Sequence, residues 1–179
     1  APALYGQFNN LDDAEVVLAG LLEMGFDEVY EVAAAAELVS DATRLLLSQG
    51  GLERPVISSA CPAVLRLIRV RFPELLDNVL PLVAPVELAA RDAKRQASRL
   101  LGIPASEIGC VFISPCPAKM TAAKNPLGTG RSDIDLVVSV SEVYPALCSA
   151  MRQAGEPGEE LAAAGRTGIG WGRRGGEAA

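Results

Sequence analysis

Hydrophobic and polar residues follow two different spacings along this chain. Apolar residues at helical spacing predict helices over residues 12–24, 33–48, 62–72, 86–101 and 141–153. Alternating or consecutive β-branched residues predict strands over residues 28–32, 55–59, 108–114 and 135–139. Because the strands alternate with helices, and the most apolar strands have no polar face, the sequence predicts an α/β fold. Its β-sheet is expected to be largely parallel, flanked by helices and built from βαβ units.

The length of 179 residues suits one domain, or one domain divided into two small lobes. The pattern of elements predicts an α/β domain over residues 1–154. Residues 155–179 differ in composition, since residues 165–179 alone contain six glycines and three arginines. This region is expected to be a glycine-rich tail or the start of a truncated element.

Charge and composition exclude several classes of function. The net charge is −6 and the isoelectric point is about 4.8, so neither nucleic acid nor an anionic membrane is expected as a partner. There is no histidine, which excludes a histidine base and any metal site that needs an imidazole. No apolar run approaches the ~18 residues of a membrane span, and no signal sequence opens the chain. A cytoplasmic location is therefore expected.

Four cysteines remain as candidate ligands, and they fall into two pairs. Cys61 and Cys116 each stand beside a proline at the carboxyl end of a predicted strand, where parallel sheets collect their ligands. Cys110 and Cys148 lie within apolar segments and are expected to be packing residues. Thiolates bind iron–sulfur clusters without help from histidine, but two are too few for the usual four-cysteine site. The spacing alone leaves two alternatives open: Cys61 and Cys116 bind an iron–sulfur centre, or both are buried or free cysteines without a metal.

Longer motifs around these cysteines carry a family resemblance. Pro55-Val-Ile-Ser-Ser-Ala-Cys-Pro62 resembles the signature Thr-Ser-Cys-Cys-Pro of the iron-only ([FeFe]) hydrogenase large subunit, in its C-terminal H-cluster domain. Ile113-Ser-Pro-Cys-Pro-Ala-Lys119 resembles the second signature of that family, Met-Pro-Cys-x-x-Lys. Weaker matches at residues 1–3, 25–29, 135–142 and 168–178 follow the family's order.

The resemblance implies a site and its cofactor. In the family, the H-cluster is a 4Fe-4S cubane joined through one cysteine to a two-iron subsite that carries CO and cyanide. Cys61 and Cys116 would be two of the four cubane ligands, and Lys119 would hydrogen-bond a cyanide of the two-iron subsite. The remaining pocket-lining positions implied by the resemblance are Pro2, Ala3, Pro85 and Ser114.

Departures from the family pattern affect proton transfer and the ligand count. Ala60 stands where catalytic members have the proton-transferring cysteine, and Leu80 stands at the serine of the same relay. Asp41 aligns with the first relay carboxylate, whereas Arg44 replaces the second. The third signature, which holds the other two cubane cysteines, is not present in the 179 residues. This pattern resembles sensory or slow members of the family.

The sequence therefore predicts a fragment of an [FeFe]-hydrogenase-like protein. Its parent would catalyse reversible hydrogen oxidation slowly or sense hydrogen, and the fragment alone would be inactive. The resemblance implies a ferredoxin-type electron carrier, or a fused iron–sulfur or signalling domain, as the partner. One alternative is a cluster-free scaffold or interaction domain that keeps the hydrogenase fold. A small iron–sulfur electron carrier is disfavoured, because the cysteines are few and dispersed.

Overall fold

The helices and strands follow the chain in an order that surrounds one short sheet with helices. The computed structural model describes residues 1–8, 14–127, 130–154, 161–173 and 177. These residues form the helices and strands α1 Glu15–Glu23, α2 Val32–Gln49, α3 Pro62–Arg71, α4 Pro85–Leu101, β1 Val111–Ser114, α5 Pro117–Lys124, β2 Leu136–Ser139, α6 Val140–Ala154 and α7 Arg166–Gly170. Short 3-10 helices span Pro2–Gln7, Pro73–Asn78 and Ala105–Glu107.

The sheet is parallel, as the sequence predicts. Strands β1 and β2 pair in register from Val111 opposite Leu136 to Ser114 opposite Ser139. Helix α5 lies between them in the chain, so β1, α5 and β2 form one βαβ unit. The α/β prediction is confirmed. Within the described residues, however, the sheet has only these two strands, and helices make up most of the structure.

Two of the predicted strands are wrong or much reduced. Residues 28–31 are not part of a strand, and Val32 already begins α2. Their alternation arises because successive side chains reach different elements: Val29 packs on the core, Tyr30 donates to Gln96 on α4, and Glu31 accepts from Tyr5. The segment 55–59 makes a single parallel bridge, between Ile57 and Val79.

Strand β1 lies between two hydrophobic clusters. Ile113 joins Leu4, α1 and α6 on one side of the strand. Phe112 joins Val86 and Ala90 of α4 on the other side. A strand that is covered on both faces carries apolar side chains on both. This explains the run of consecutive apolar residues in the sequence.

The helix predictions hold with two differences. Helix α1 is described from Glu15, and the predicted first residues Asp12 and Asp13 lie outside the described part of the chain. Helix α5 occupies residues for which the sequence predicted no element. It is short, and Pro117 at its first position fixes a helical backbone angle where no amide donor is needed.

The described part of the glycine-rich tail packs on α2. Gly168 lies so close to the backbone of α2 that a Cβ at this position would be 2.0 Å from the carbonyl oxygen of Ala33. The Gly168 amide donates to Glu37 at 3.0 Å, and the Trp171 indole donates to Ser40 at 2.9 Å. The proposed domain boundary at residue 154 stays a prediction, because residues 155–160 lie outside the described part. Across the described residues, no helix is both long and apolar enough to cross a membrane.

Candidate functional site

Two loops of the same design each present a cysteine at the start of a helix. Cys61 is the N-cap of α3 and Cys116 is the N-cap of α5, and both have extended backbone angles. A proline follows each cysteine as the first helical residue. Pro62 and Pro117 therefore fix the direction in which each helix leaves its loop.

A serine before each cysteine holds its loop. The hydroxyl of Ser58 accepts the Ala60 amide at 3.1 Å, and the hydroxyl of Ser114 accepts the Cys116 amide at 3.2 Å. These are local bonds of the kind by which serine stabilises a turn. The two loops thus share a serine–amide bond but differ in register, since the bonded amide is that of Ala60 before Cys61 in one loop and that of Cys116 itself in the other.

Both loops open onto one cavity of about 310 Å³. It lies at the carboxyl end of β1, where the sequence placed the site. It is lined by the eight residues that the sequence assigned to the cluster pocket and its proton-transferring cysteine position, which are Pro2, Ala3, Ala60, Cys61, Pro85, Ser114, Cys116 and Lys119. The fold therefore brings together side chains from four separated segments of the chain, while their roles toward a ligand stay predictions.

The two cysteines differ in exposure. Cys61 is exposed and Cys116 is half-buried, and both are free thiols. Cys110 and Cys148 are also free and half-buried, and neither lines this cavity. Burial raises the pKa of the Cys110 thiol, which suits a packing role.

Lys119 places a positive charge between the two cysteine loops. Its ammonium donates to the Ala60 carbonyl oxygen at 3.1 Å, which ties α5 to the loop before α3. Burial lowers the pKa of Lys119. Electrostatic interaction with the nearby Cys116 and Cys61 raises this pKa, but by less. Because an ammonium has three donors, Lys119 keeps donors for an anionic ligand in the cavity.

The N-terminal segment covers the cavity from one side. The backbone nitrogen of Ala1 donates to the Ile113 carbonyl oxygen at 3.1 Å, and Leu4 is anchored in the core. Pro2 and Ala3 lie between these two anchors and form an apolar part of the cavity wall. A wall of this kind excludes water from any group bound beneath it.

The sequence of the chain matches a known family over almost its whole length. The family described as "Iron only hydrogenase large subunit, C-terminal domain" matches residues 1–169. The chain belongs to this family.

Hydrogenases and an assembly factor are among its relatives. The chain is 28% identical over 136 residues to the NADP-reducing hydrogenase subunit HndD of Solidesulfovibrio fructosivorans, covering 70% of this chain and 23% of that protein. It is 25% identical over 146 residues to iron hydrogenase 1 of Clostridium pasteurianum, covering 78% and 25%. It is 28% identical over 152 residues to the cytosolic Fe-S cluster assembly factor nar1 of Aspergillus niger, covering 76% and 25%.

Solved structures show the same fold. The [FeFe]-hydrogenase HydA1 of Chlamydomonas reinhardtii superimposes with a TM-score of 0.68 at 21% identity, covering 93% of this chain and 46% of that chain. The hydrogenase-family chain thus spans about a quarter of the curated relatives and just under half of the solved structure.

The donor set of this hydrogenase-family site fits part of an iron–sulfur cluster. Among the described residues, no group of three or more cysteine, aspartate or glutamate side chains could hold a metal ion. Cys61 and Cys116 bring two thiols to the cavity, and a four-thiolate cluster needs two more. The cavity also fits the anionic character of a thiolate-bound cluster, because Lys119 supplies a charge of opposite sign.

The four positions that the resemblance assigns to a proton relay lie in two places. Ala60 and Leu80 both line a second, mostly apolar cavity of about 490 Å³ that adjoins the first. Neither a methyl nor an isobutyl group can pass on a proton. Asp41 and Arg44 lie on the exposed side of α2 and form an ion pair with each other at 3.0 Å.

Trp171 and Glu177 belong to the weak match at residues 168–178, where the sequence assigned them no role in the site, and both line the 310 Å³ cavity. Trp171 contributes from the residue after α7, and Glu177 accepts a hydrogen bond from the Ser58 hydroxyl. The sequence does mark Trp171, since it is the only tryptophan of the chain and lies among glycines at 168, 170 and 172. The predicted motif residues Gly175, Gly176 and Ala178 lie outside the described residues.

Proposed function

We propose that this chain supplies half of an iron–sulfur site in a hydrogenase-like parent protein. Cys61 and Cys116 would hold one edge of a 4Fe-4S cubane, and the parent would supply the other two thiolates. The observation that carries the proposal is that both thiols and the Lys119 ammonium meet at one cavity. A two-iron subsite beside the cubane would lie against Lys119, Pro2, Ala3, Pro85 and Ser114.

The residues of this chain would act by positioning and by excluding water. The proline and serine of each loop fix where a thiolate can lie. Lys119 would donate a hydrogen bond to an anionic ligand, a contact that gains strength in a dry cavity. When bound, the cluster would supply the electron chemistry of hydrogen oxidation and proton reduction. The chain alone would be inactive, since Cys61 and Cys116 are two of the four thiolates that a cubane needs.

Ala60 and Leu80 favour slow turnover or hydrogen sensing in the parent. General acid–base groups contribute about 10²- to 10⁴-fold to rates. Ala60 and Leu80 carry no such group at the two relay positions that the resemblance implies, although Glu87 lines the same cavity. The parent would then pass electrons to a ferredoxin-type carrier, or report to a fused iron–sulfur or signalling domain. A cytoplasmic setting in an anaerobe suits an oxygen-sensitive cluster of this type. Hydrogen evolution by the parent at rates typical of complete enzymes would contradict slow turnover.

Anaerobic reconstitution with iron and sulfide tests the ligands. We expect the chain to retain iron, and Cys61→Ser or Cys116→Ser to lower the retained iron at least about fivefold. Cys148→Ser is the matched control, because Cys148 is a half-buried cysteine away from the cavity. Iron content and visible absorbance after gel filtration are the measurements. Unchanged iron in both variants would remove the cluster assignment and favour the cluster-free scaffold.

A further inference from the structure

One carboxylate joins two segments that wall the 310 Å³ cavity. The 3-10 helix Pro2–Gln7, which we call the first cover, forms part of this wall. Residues 163–172, which we call the second cover, add Trp171 to it. Glu31, the residue before α2, accepts hydrogen bonds from both covers. Two segments that enclose the cavity therefore share one attachment point.

The bonds to Glu31 use both of its carboxylate oxygens. Oε1 accepts the Tyr5 hydroxyl of the first cover at 2.6 Å. Oε2 accepts the backbone amides of Ala163 and Ala164 in the second cover at 2.6 Å and 2.8 Å. Burial and the bond to Glu31 raise the pKa of Tyr5, so the phenol stays protonated and keeps donating. Because hydrogen bonds to an ionised group are stronger than neutral ones, Glu31 is a firm junction between the covers.

The two covers also touch each other beyond this junction. A Cβ at Gly172 would lie 3.1 Å from the carbonyl carbon and oxygen of Pro2. The second cover has its own attachment to α2, since the Gly168 amide donates to Glu37 at 3.0 Å. Loss of the Glu31 junction would therefore loosen the covers where they meet while the second cover stays on α2. Such an opening is local and leaves the rest of the fold in place.

Cys116 is the thiol whose exposure depends on these covers. It is half-buried, whereas Cys61 in the same cavity is already exposed. Because the covers form part of the cavity wall, their displacement would let solvent and reagents reach Cys116 more often. Cys110 and Cys148 do not line this cavity, so the same displacement would leave their exposure unchanged.

We propose that Glu31 is a positioning residue for the iron site, which joins the two covers and so controls how far Cys116 and a cluster bound to it are open to solvent. The inference rests on the proposed function, because it takes Cys116 as an iron ligand. Glu31 does not itself line the cavity, so it acts through the covers rather than by contact with a ligand. Closed covers would slow both the loss of iron and the entry of oxidants.

Alkylation of the cysteines in the metal-free full chain tests the inference. The chain is treated anaerobically with iodoacetamide, and mass spectrometry of its peptides follows each thiol. We expect Glu31→Ala to raise the rate at Cys116 at least about fivefold and the rate at Cys148 less than about twofold. Glu31→Gln should restore most of the protection, because its amide oxygen can accept the backbone amides and its NH₂ group can donate to the Tyr5 oxygen. Glu28→Ala is the matched control, since it removes an exposed carboxylate three residues earlier and should change none of these rates.

Tyr5→Phe is the second variant, because it removes one hydroxyl and keeps the ring. It should raise the rate at Cys116 about threefold. If Glu31→Ala accelerates Cys116 and Cys148 equally, the fold itself has opened and Tyr5→Phe decides, with an unchanged rate at Cys116 overturning the inference. Unchanged rates at Cys116 in both variants would also overturn it and leave the proposed function standing.

Iron release from the reconstituted chain separates the inference from the proposed function. We expect Glu31→Ala to lose iron to a chelator at least about threefold faster than the wild-type chain. Equal release from the two proteins would overturn the control of access by Glu31. Failure of the wild-type chain to bind iron through Cys61 and Cys116 would instead overturn the proposed function, whatever the alkylation rates show about the covers.

Discussion

At the scale of single residues, Lys119 is a cation held in a poorly solvated place. Its ammonium lies beside the Ala60 carbonyl oxygen and both cysteine loops. Burial lowers its pKa, so the folded chain binds this proton less tightly than the unfolded chain does. The buried charge therefore costs stability in the absence of an anion, as expected for a group that serves a ligand rather than the fold.

This cost predicts a pH dependence that Lys119→Met should remove. Between the lowered pKa and the ordinary value of 10.5, the unfolded chain binds more protons, so the Lys119 contribution to stability rises with pH. We expect the stability of the wild-type chain relative to Lys119→Met to increase as the pH rises through the lowered pKa toward 10.5. Urea denaturation followed by Trp171 fluorescence measures this difference. Parallel pH profiles for the two proteins would show that burial does not penalise the charge.

The residues of the site differ in how far the sequence could predict them. The cysteine loops were predictable because their geometry is local, set by a serine and a proline within four residues of each thiol. Trp171 belongs to a motif that the sequence noted, but its place in the cavity was not predictable, because it reaches the cavity through packing between α7 and α2. Contacts between segments more than 100 residues apart leave no local pattern to detect.

At the scale of elements, the contact between α7 and α2 depends on one glycine. The Cβ of any residue at position 168 would lie 2.0 Å from the Ala33 carbonyl oxygen and 2.6 Å from its carbonyl carbon. These are backbone atoms within α2, so they cannot move aside as a flexible side chain can. Close packing here also positions Trp171 at the cavity wall.

We therefore expect Gly168→Ala to displace α7 from α2. The stability of the chain should fall by about 2 kcal/mol, the typical cost of overpacking. Trp171 fluorescence should shift to the red as the indole loses its hydrogen bond to Ser40. Gly170→Ala is the matched control on the same helix, because a Cβ at Gly170 would meet no atom within 4 Å. Equal behaviour of the two variants would contradict the close approach at Gly168.

The strand predictions fail where the alternation of side chains has a cause other than a β-sheet. Alternation at 28–32 arises from three different neighbours, Tyr5, the core and Gln96, rather than from a sheet. The consecutive apolar residues of β1 predicted a strand correctly because two clusters cover it. Helices were predicted better, since their periodicity depends on a single buried face.

At the scale of the whole molecule, β1 couples the two hydrophobic clusters to the candidate site. Ile113 and Phe112 belong to different clusters, and both line cavities at the site or beside it. Ser114 is the last residue of this strand, and Cys116 lies two residues beyond it. The position of the Cys116 loop therefore depends on packing in both halves of the core.

This coupling predicts that damage far from the cavity unfolds the chain as one unit. Leu147 on α6 is fully buried and belongs to the cluster that contains Ile113. Leu147→Ala should lower the free energy of unfolding by about 3 kcal/mol, the sum of lost burial and a residual cavity. Because β1 joins the two clusters, far-ultraviolet circular dichroism and Trp171 fluorescence should report the same lowered midpoint in urea. Leu45→Ala, at a site that is 58% exposed, should change stability by less than about 0.5 kcal/mol. Two separate midpoints in Leu147→Ala would show instead that α2, α7 and the cavity wall unfold independently of the cluster around α6.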